Sequence, residues 1–358
     1  MLKIKTAHIA FLLLFLVIIA VNIAALNSAV RQPFTLDETE EARMGRKINI
    51  IGPKTFTLPP EEGGETISHA LLYTYSHALV QRIFGKGDLA LRLYGVFHYL
   101  LSLFLVLAII SEVTPGGDKY LRRWAKYIAA VLYLLNPLLL QHCLVINADN
   151  NILTTAILVF IYFFIRFEVK TEGGEDRKYV LSRFPLAFLL ALCFWAKELT
   201  PIFVSAGIVL YRITAGDVKK AIMDFFLVAI LGLVLFWLTW WLYCFFTATD
   251  VLAFVKFTII NKSKYAFRLG FIKSILDGFF VVFRWPLYWV SAPFFTILIL
   301  LLFQRIKSFF KQKKAVITDC IFLVAACVWF PYLFFKPNPD MMKYQYPAYP
   351  LFIIFISY

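Results

Sequence analysis

Three short segments place ionisable residues where a carboxylate or an ammonium could do chemistry. The first is Leu36-Asp37-Glu38-Thr39-Glu40-Glu41-Ala42-Arg43-Met44-Gly45-Arg46-Lys47, which follows a long apolar run. A carboxylate at a membrane edge can orient an attacking hydroxyl or take its proton. Asp37 and Glu38 can equally stand in the first turn of a solvated helix, where the peptide dipoles favour negative charge. The second segment is Asp149-Asn150-Asn151, where Asp149 is either a further acidic group or the cap of the next helix. The third is Lys197-Glu198, set between two apolar runs. Charges there are costly unless they face a polar cavity or a partner, although an adjacent pair also suits a plain hairpin turn.

Further cations stand at Lys262, Lys264, Arg268 and Lys343. For the first three, anionic lipid headgroups are the competing partner. His69 and His77 are eight residues apart and so share a helical face, but no third ligand completes a zinc site. Arg92 fits a side chain snorkelling from a helix end. Cys143, Cys193, Cys244, Cys320 and Cys327 lie in or beside apolar stretches without any CxxC pair, so they read as small core residues.

The elements that must position these groups are set by composition. Hydrophobic residues make up 61% of the chain and charged residues 16%, against roughly 45–50% and 25% in soluble domains. A soluble fold of this length has no interior large enough for that much apolar side chain, whereas bilayer lipid can solvate it. The net charge of +14 comes from basic residues scattered in short loops between apolar runs. That pattern fits orientation signals and lipid-phosphate contacts better than a nucleic-acid groove. The opening Met-Leu-Lys-Ile-Lys and its apolar run lack a small-residue cleavage site, so a retained first helix is expected.

A hydrocarbon core of about 30 Å needs roughly 20 apolar residues per helix. About ten transmembrane helices are expected, near 7–30, 89–112, 124–146, 150–167, 184–197, 199–212, 224–247, 278–303, 318–335 and 345–358. The two flanking Lys197 are short, as tilted or broken helices would be. Lysine and arginine mark alternate loops: Lys3 and Lys5, then Lys119 to Lys126, Arg166 to Arg183, Lys219 and Lys220, and Arg305 to Lys314. Basic loops stay in the cytoplasm. The stretches 31–88, 147–150, 197–201, 248–277 and 336–344 therefore face outward, and Asp37, Glu38, Asp149, Lys197, Glu198, the later lysines and Lys343 share that side. Lysines outside run against the orientation rule and call for another reason.

The first outward loop, 31–88, is too long for a connector. It contains a helix-like segment at Asp37–Ile51, a Pro-Pro-Glu-Glu-Gly-Gly turn at 59–64 and an amphipathic stretch, Ile67–Phe84, suited to the membrane interface. No internal repeat or low-complexity tract is visible. The chain ends in a short apolar run without a basic anchor, as a truncated version of a longer protein would. A single transmembrane domain over 1–358 is expected.

The order of these motifs resembles the GT-C glycosyltransferases, and within them the protein O-mannosyltransferase and lipid A aminoarabinose transferase group. The apolar first helix followed by Asp37-Glu38-Thr39-x-x-Ala42-x-x-x-Arg46 is similar to that family's opening. Leu71-Leu72-Tyr73, Arg82-Ile83-Phe84-Gly85 and Leu89-Ala90-Leu91-Arg92-Leu93 resemble its Lys/His-Pro-Pro-Leu-Tyr, Phe-Gly and Ala-x-Arg-Leu-Pro segments. His69 takes the basic position, while Ala70, Leu71 and Tyr94 stand where the family has prolines. Asn136-Pro137, Asp149 to Leu153, Phe194 to Glu198 and Lys343 to Pro350 resemble later family segments, with Glu198 in place of a glycine.

The resemblance implies an all-α integral membrane protein with juxtamembrane helices in its first outer loop, and an inverting transfer of a sugar from a polyprenyl-phosphate carrier. The acceptor would be a protein, a lipid or a glycan. It implies Asp37 as the group that orients and deprotonates the acceptor, Glu38 as its support and Asp149 as a second acidic wall. His69, Lys197, Lys343, Lys262, Lys264 and Arg268 are the candidates for holding the carrier phosphate, whose developing charge needs cations. No nucleotide, nucleic acid or Gly-rich phosphate loop enters. No ligand spacing requires a metal, although an acidic wall can hold a divalent cation. A transporter or flippase of a lipid-linked or anionic solute uses similar intramembrane charges, and a non-catalytic membrane scaffold is the third reading. The expected location is a prokaryotic plasma membrane with the site facing outward.

Overall fold

The computed structural model describes residues 36–58, 71–85, 87–114, 119–136, 139–140, 144, 149–171, 176–252, 300, 316–329 and 346–357, with isolated helical positions between 13 and 27. Helix α1 (Leu36–Ile51) runs into a 3-10 turn (Gly52–Phe56) and is followed by α2 (Leu72–Phe84), α3 (Asp88–Val113) and α4 (Lys119–Leu134). A π turn (Asp149–Leu153) opens α5 (Thr154–Thr171), and α6 (Asp176–Ala196) and α7 (Thr200–Thr214) come next. Helix α8 (Val218–Asp224) continues through a second π segment (Phe225–Ile230) into α9 (Leu231–Thr247), and α10 (Ile317–Trp329) and α11 (Ala348–Ser357) follow. No strand occurs among the described residues.

Four helical stretches are long and apolar enough to cross a membrane: Asp88–Val113, Asn151–Lys170, Lys178–Ala196 and Val218–Thr247, of 26, 20, 19 and 30 residues. At about 1.5 Å per residue each reaches roughly the 30 Å of a hydrocarbon core. Helix α3 shows how such a helix divides its faces. Leu89, Leu93, Phe97, Leu100 and Phe104 are exposed at spacings of three and four, while Arg92, His98 and Ser102 are buried on the opposite side. The outer stripe is the more apolar one. That arrangement suits lipid, where apolar burial does not drive helices together and polar groups turn inward.

Packing follows a circuit. Helix α4 lies against α3, α3 against α5, α5 against α6, and α6 against α9. Helix α7 packs on α10, α10 on α11, and α11 returns to α4. Small residues allow the closest approaches. A Cβ added at Gly207 would lie 2.5 Å from the Val324 Cα, so α7 and α10 meet backbone to backbone.

At one end of the bundle, the last turns of α5, α7 and α8 and the second turn of α6 are tied by a closed ring of charge. Arg183 Nε bonds Asp224 Oδ1 at 2.7 Å, and Arg212 Nε bonds Asp224 Oδ2 at 2.9 Å. Both guanidinium groups also pair with Glu168. The Tyr179 hydroxyl donates to Asp224 at 2.8 Å. Two positive and two negative charges thus cancel inside the protein.

Several expected boundaries are corrected. The expected span 184–197 is not short: α6 begins at Asp176, and its first turns escaped a hydropathy reading because Arg177, Lys178 and Arg183 dilute them. Arg183 is not a loop cation, being fully buried in the ring. The expected span 124–146 stops as a helix at Leu134, since Pro137 disfavours helical backbone in the residue before it. Helix α2 is described from Leu72, and the expected span 278–303 lies almost wholly outside the described residues.

Candidate functional site

Helix α1 opens at Leu36, so Asp37 and Glu38 fall in its first turn, where the helix dipole favours a carboxylate. Asp37, Glu38 and Asp149 are described by their backbone alone. The inner face of α1 rests on α2. Gly45 lets the two approach, because a Cβ there would meet Gln81 Nε2 at 3.1 Å and Ala78 N at 3.3 Å. Gln81 donates to the Ala42 carbonyl at 3.0 Å, and Asn49 donates to the Ala78 carbonyl at 2.8 Å. Two side-chain bonds and one missing side chain therefore fix the helix that begins with Asp37 and Glu38.

Helix α2 is in turn anchored below. Ser76 Oγ lies 2.7 Å from the Tyr94 hydroxyl of α3, and the Tyr75 hydroxyl lies 3.0 Å from that of Tyr243 on α9. His77 is wholly buried between the rings of Tyr73 and Tyr94, at centroid distances of 4.1 and 5.0 Å. Neither of its ring nitrogens makes a hydrogen bond among the described residues. Burial, reinforced by the neighbouring His98, pushes its pKa down to about 3, so the ring is neutral at ordinary pH. The Tyr75 hydroxyl is shifted upward by burial, partly offset by its bond with Tyr243.

Asp149 begins the π turn ahead of α5. The adjoining loop is tied to α3 by Arg92, which donates to the Leu144 carbonyl at 2.5 Å. Arg92 is buried, which corrects the snorkelling expectation. The turn itself is braced by Thr155, whose hydroxyl bonds the Asn151 carbonyl at 3.1 Å, and by His98 and Ser102 behind it. π turns are less stable than α-helix and recur at functional sites.

Lys197 and Glu198 form the junction of α6 and α7. Both are buried, at 7% and 6% exposure, which removes the reading of a solvated hairpin decoration. Lys197 N still bonds the Cys193 carbonyl at 2.9 Å, and α7 restarts at Thr200-Pro201 with proline at its first turn, where no amide donor is needed. Trp195, two residues before Lys197, packs against Trp240 and Tyr243 at 5.6 and 6.0 Å.

These elements share one end of the bundle. Helix α1 packs on α2, α2 touches α6, and the π turn contacts both α3 and α6. Helix α1, the π turn and the α6–α7 junction thus belong to the same end of the bundle, with the charge ring at the other end of α5 and α6. His69, Lys262, Lys264, Arg268 and Lys343 lie outside the described residues. No cluster of three metal-ligating side chains occurs among the described residues. Sequence reasoning missed His98 and Thr155. A histidine inside the long apolar run of α3 was the available signal for the first of these.

No family model and no curated protein matches the chain. Two solved structures of ArnT from Cupriavidus metallidurans share its fold. The structure bound to undecaprenyl phosphate gives a TM-score of 0.62 at 14% sequence identity, and the apo structure 0.66 at 15%. Each likeness covers 96% of this chain, which spans 59% and 58% of the respective ArnT chains. The fold is that of an all-helical membrane protein, and the likeness to the lipid A aminoarabinose transferase read from the motifs holds at the level of fold.

Proposed function

We propose that this chain is an inverting glycosyltransferase that takes a sugar from a polyprenyl-phosphate carrier on the non-cytoplasmic face of a membrane. The reading is supported by an ArnT-like fold in which the Lys197–Glu198 junction is buried, at the end of the bundle to which helix α1 and the π turn before α5 also belong. An ArnT structure holding undecaprenyl phosphate makes a lipid phosphate the natural leaving group for such a site.

In the reaction, the acceptor hydroxyl oxygen attacks the anomeric carbon opposite the phosphate. A new C–O bond forms as the bond to the carrier phosphate breaks, which inverts the configuration. The proton of the hydroxyl goes to Asp37, and the bonding pair leaves with the phosphate, which gains one negative charge. Glu38 supports Asp37, and Asp149 forms the second acidic wall. Lys197, with His69, Lys343, Lys262, Lys264 and Arg268, supplies the positive charge the leaving phosphate needs, which counts most where water is excluded. The acceptor is a protein, a lipid or a glycan.

The test uses membranes containing this chain, a panel of labelled polyprenyl-phosphate sugars and native membrane extract. Label should move to an acceptor with the wild type. Asp37→Asn should insert normally and lose transfer by about 100-fold or more, as loss of a general acid–base group does. Unchanged turnover in Asp37→Asn removes Asp37 from the mechanism. Folded wild type that transfers no sugar from any carrier sinks the transferase reading.

A further inference from the structure

The turn that begins with Asp149 is held from outside its own helix. Thr155 Oγ1 lies 3.1 Å from the Asn151 carbonyl, which can only accept, so the hydroxyl proton points there. Two more groups approach the same oxygen: His98 Nδ1 at 2.9 Å and Ser102 Oγ at 3.2 Å. With its single proton committed, Thr155 offers only lone pairs, so both neighbours donate. His98 therefore carries its proton on Nδ1. All four residues are buried, and a hydrogen bond left unmade in such a place keeps its full desolvation cost. The arrangement selects one tautomer and one ring orientation.

The π turn needs such a brace. Its hydrogen bonds span one residue more than those of an α-helix, and it persists only where its surroundings favour it. Relaxation to α-helical register would rotate Asp149 by about 100° around the axis and shift it by about 1.5 Å. We infer that His98 is a positioning residue: its Nδ1–H, acting through the Thr155 hydroxyl on the Asn151 carbonyl, fixes the π turn and with it the place of Asp149. The inference rests on the reading of Asp149 as an acidic wall of the transfer site. His98 stands in the buried stripe of α3, beside Tyr94 at a ring distance of 4.5 Å.

Three substitutions separate this role from mere packing. In His98→Asn the side-chain amide nitrogen stands close to where Nδ1 was. In His98→Gln it is carried out to the place of Nε2, and in His98→Leu no donor remains. Amide exchange over residues 149–155 is measured in the full chain in lipid nanodiscs, and transfer is measured on the same samples. The Asn variant should exchange and turn over like the wild type. The Gln and Leu variants should exchange about tenfold faster over the turn and lose kcat by about 10- to 100-fold, as misplacement of a reacting group by an ångström does. Thr155→Ser should behave like the wild type and Thr155→Val like His98→Leu. Equal exchange in all variants overturns the inference, and so does an Asn variant as fast as Leu. The expected order of exchange with no transfer by the wild type supports the tie between His98 and the turn, and retires the transferase reading instead.

Discussion

His77 shows how much one buried side chain can report about its surroundings. In the packed α2 helix its ring takes a proton only near pH 3, whereas the ordinary value is 6.5. When α2 opens, the ring regains water and binds its proton near the ordinary pKa. Opening therefore takes up a proton in the window between these values, and the sign follows from linkage. Packing of α2 is at full strength above about 6.5, weakens as the pH falls toward about 3, and weakens no further below. One proton allows at most about a tenfold change in the opening equilibrium per pH unit. Amide exchange over Leu72–Phe84, corrected for intrinsic rates, should show this slope between pH 6 and pH 4. The slope should disappear in His77→Phe. A slope that survives the substitution would assign the titration to another group.

At the scale of elements, the charge ring decides how α5, α6, α7 and α8 meet. It was not legible in the sequence, and the reason is physical. Glu168 and Arg183 fall just outside the expected apolar spans and Arg212 and Asp224 at the very ends of theirs, so a linear window has no reason to pair them. Only the assembled bundle shows Arg183 and Asp224 removed from water and bonded to each other. The apolar cores of α3 and of α8 through α9 were legible, because an uninterrupted run of that length has few other solutions. So was the Lys197–Glu198 junction, as a pair of charges flanked by apolar runs. The π turn at Asp149 was not, since its register depends on His98 and Ser102, which are 57 and 53 residues from their partner Thr155 in the chain. The ring also makes a prediction. Asp224→Asn leaves two guanidinium groups facing one carboxylate, and breaking a buried ion pair costs about 3–5 kcal/mol. Adding Arg183→Met removes the surplus charge and leaves Glu168 with Arg212. Thermal unfolding in detergent should show the double variant recovering about 1–3 kcal/mol relative to the sum of the single changes. Strictly additive losses would mean that the ring does not act as a unit.

At the scale of the whole molecule, the two ends differ in kind. One end closes on a neutral ring of four charges, and the other carries the acidic turns and the buried lysine. The positive-inside rule predicts a direction for this asymmetry, with Lys219 and Lys220 toward the cytoplasm and the residues after Thr247 toward the outside. Helices α8 and α9 form a continuous stretch of 30 residues between these points, about 45 Å at the usual rise. Lys219 stands in the first turn of that stretch and Asp250 lies just beyond its end, and both are exposed. Single substitutions Lys219→Cys and Asp250→Cys, made in a variant with the five native cysteines replaced by alanine, can therefore report sidedness with an impermeant thiol reagent. Added outside intact cells, the reagent should label the Asp250 variant and leave the Lys219 variant untouched until the membrane is opened. Labelling of both from one side would remove this stretch as a membrane crossing. The reverse pattern would set Asp37, Asp149 and Lys197 on the cytoplasmic face, and the placement of the transfer reaction outside would fall with it.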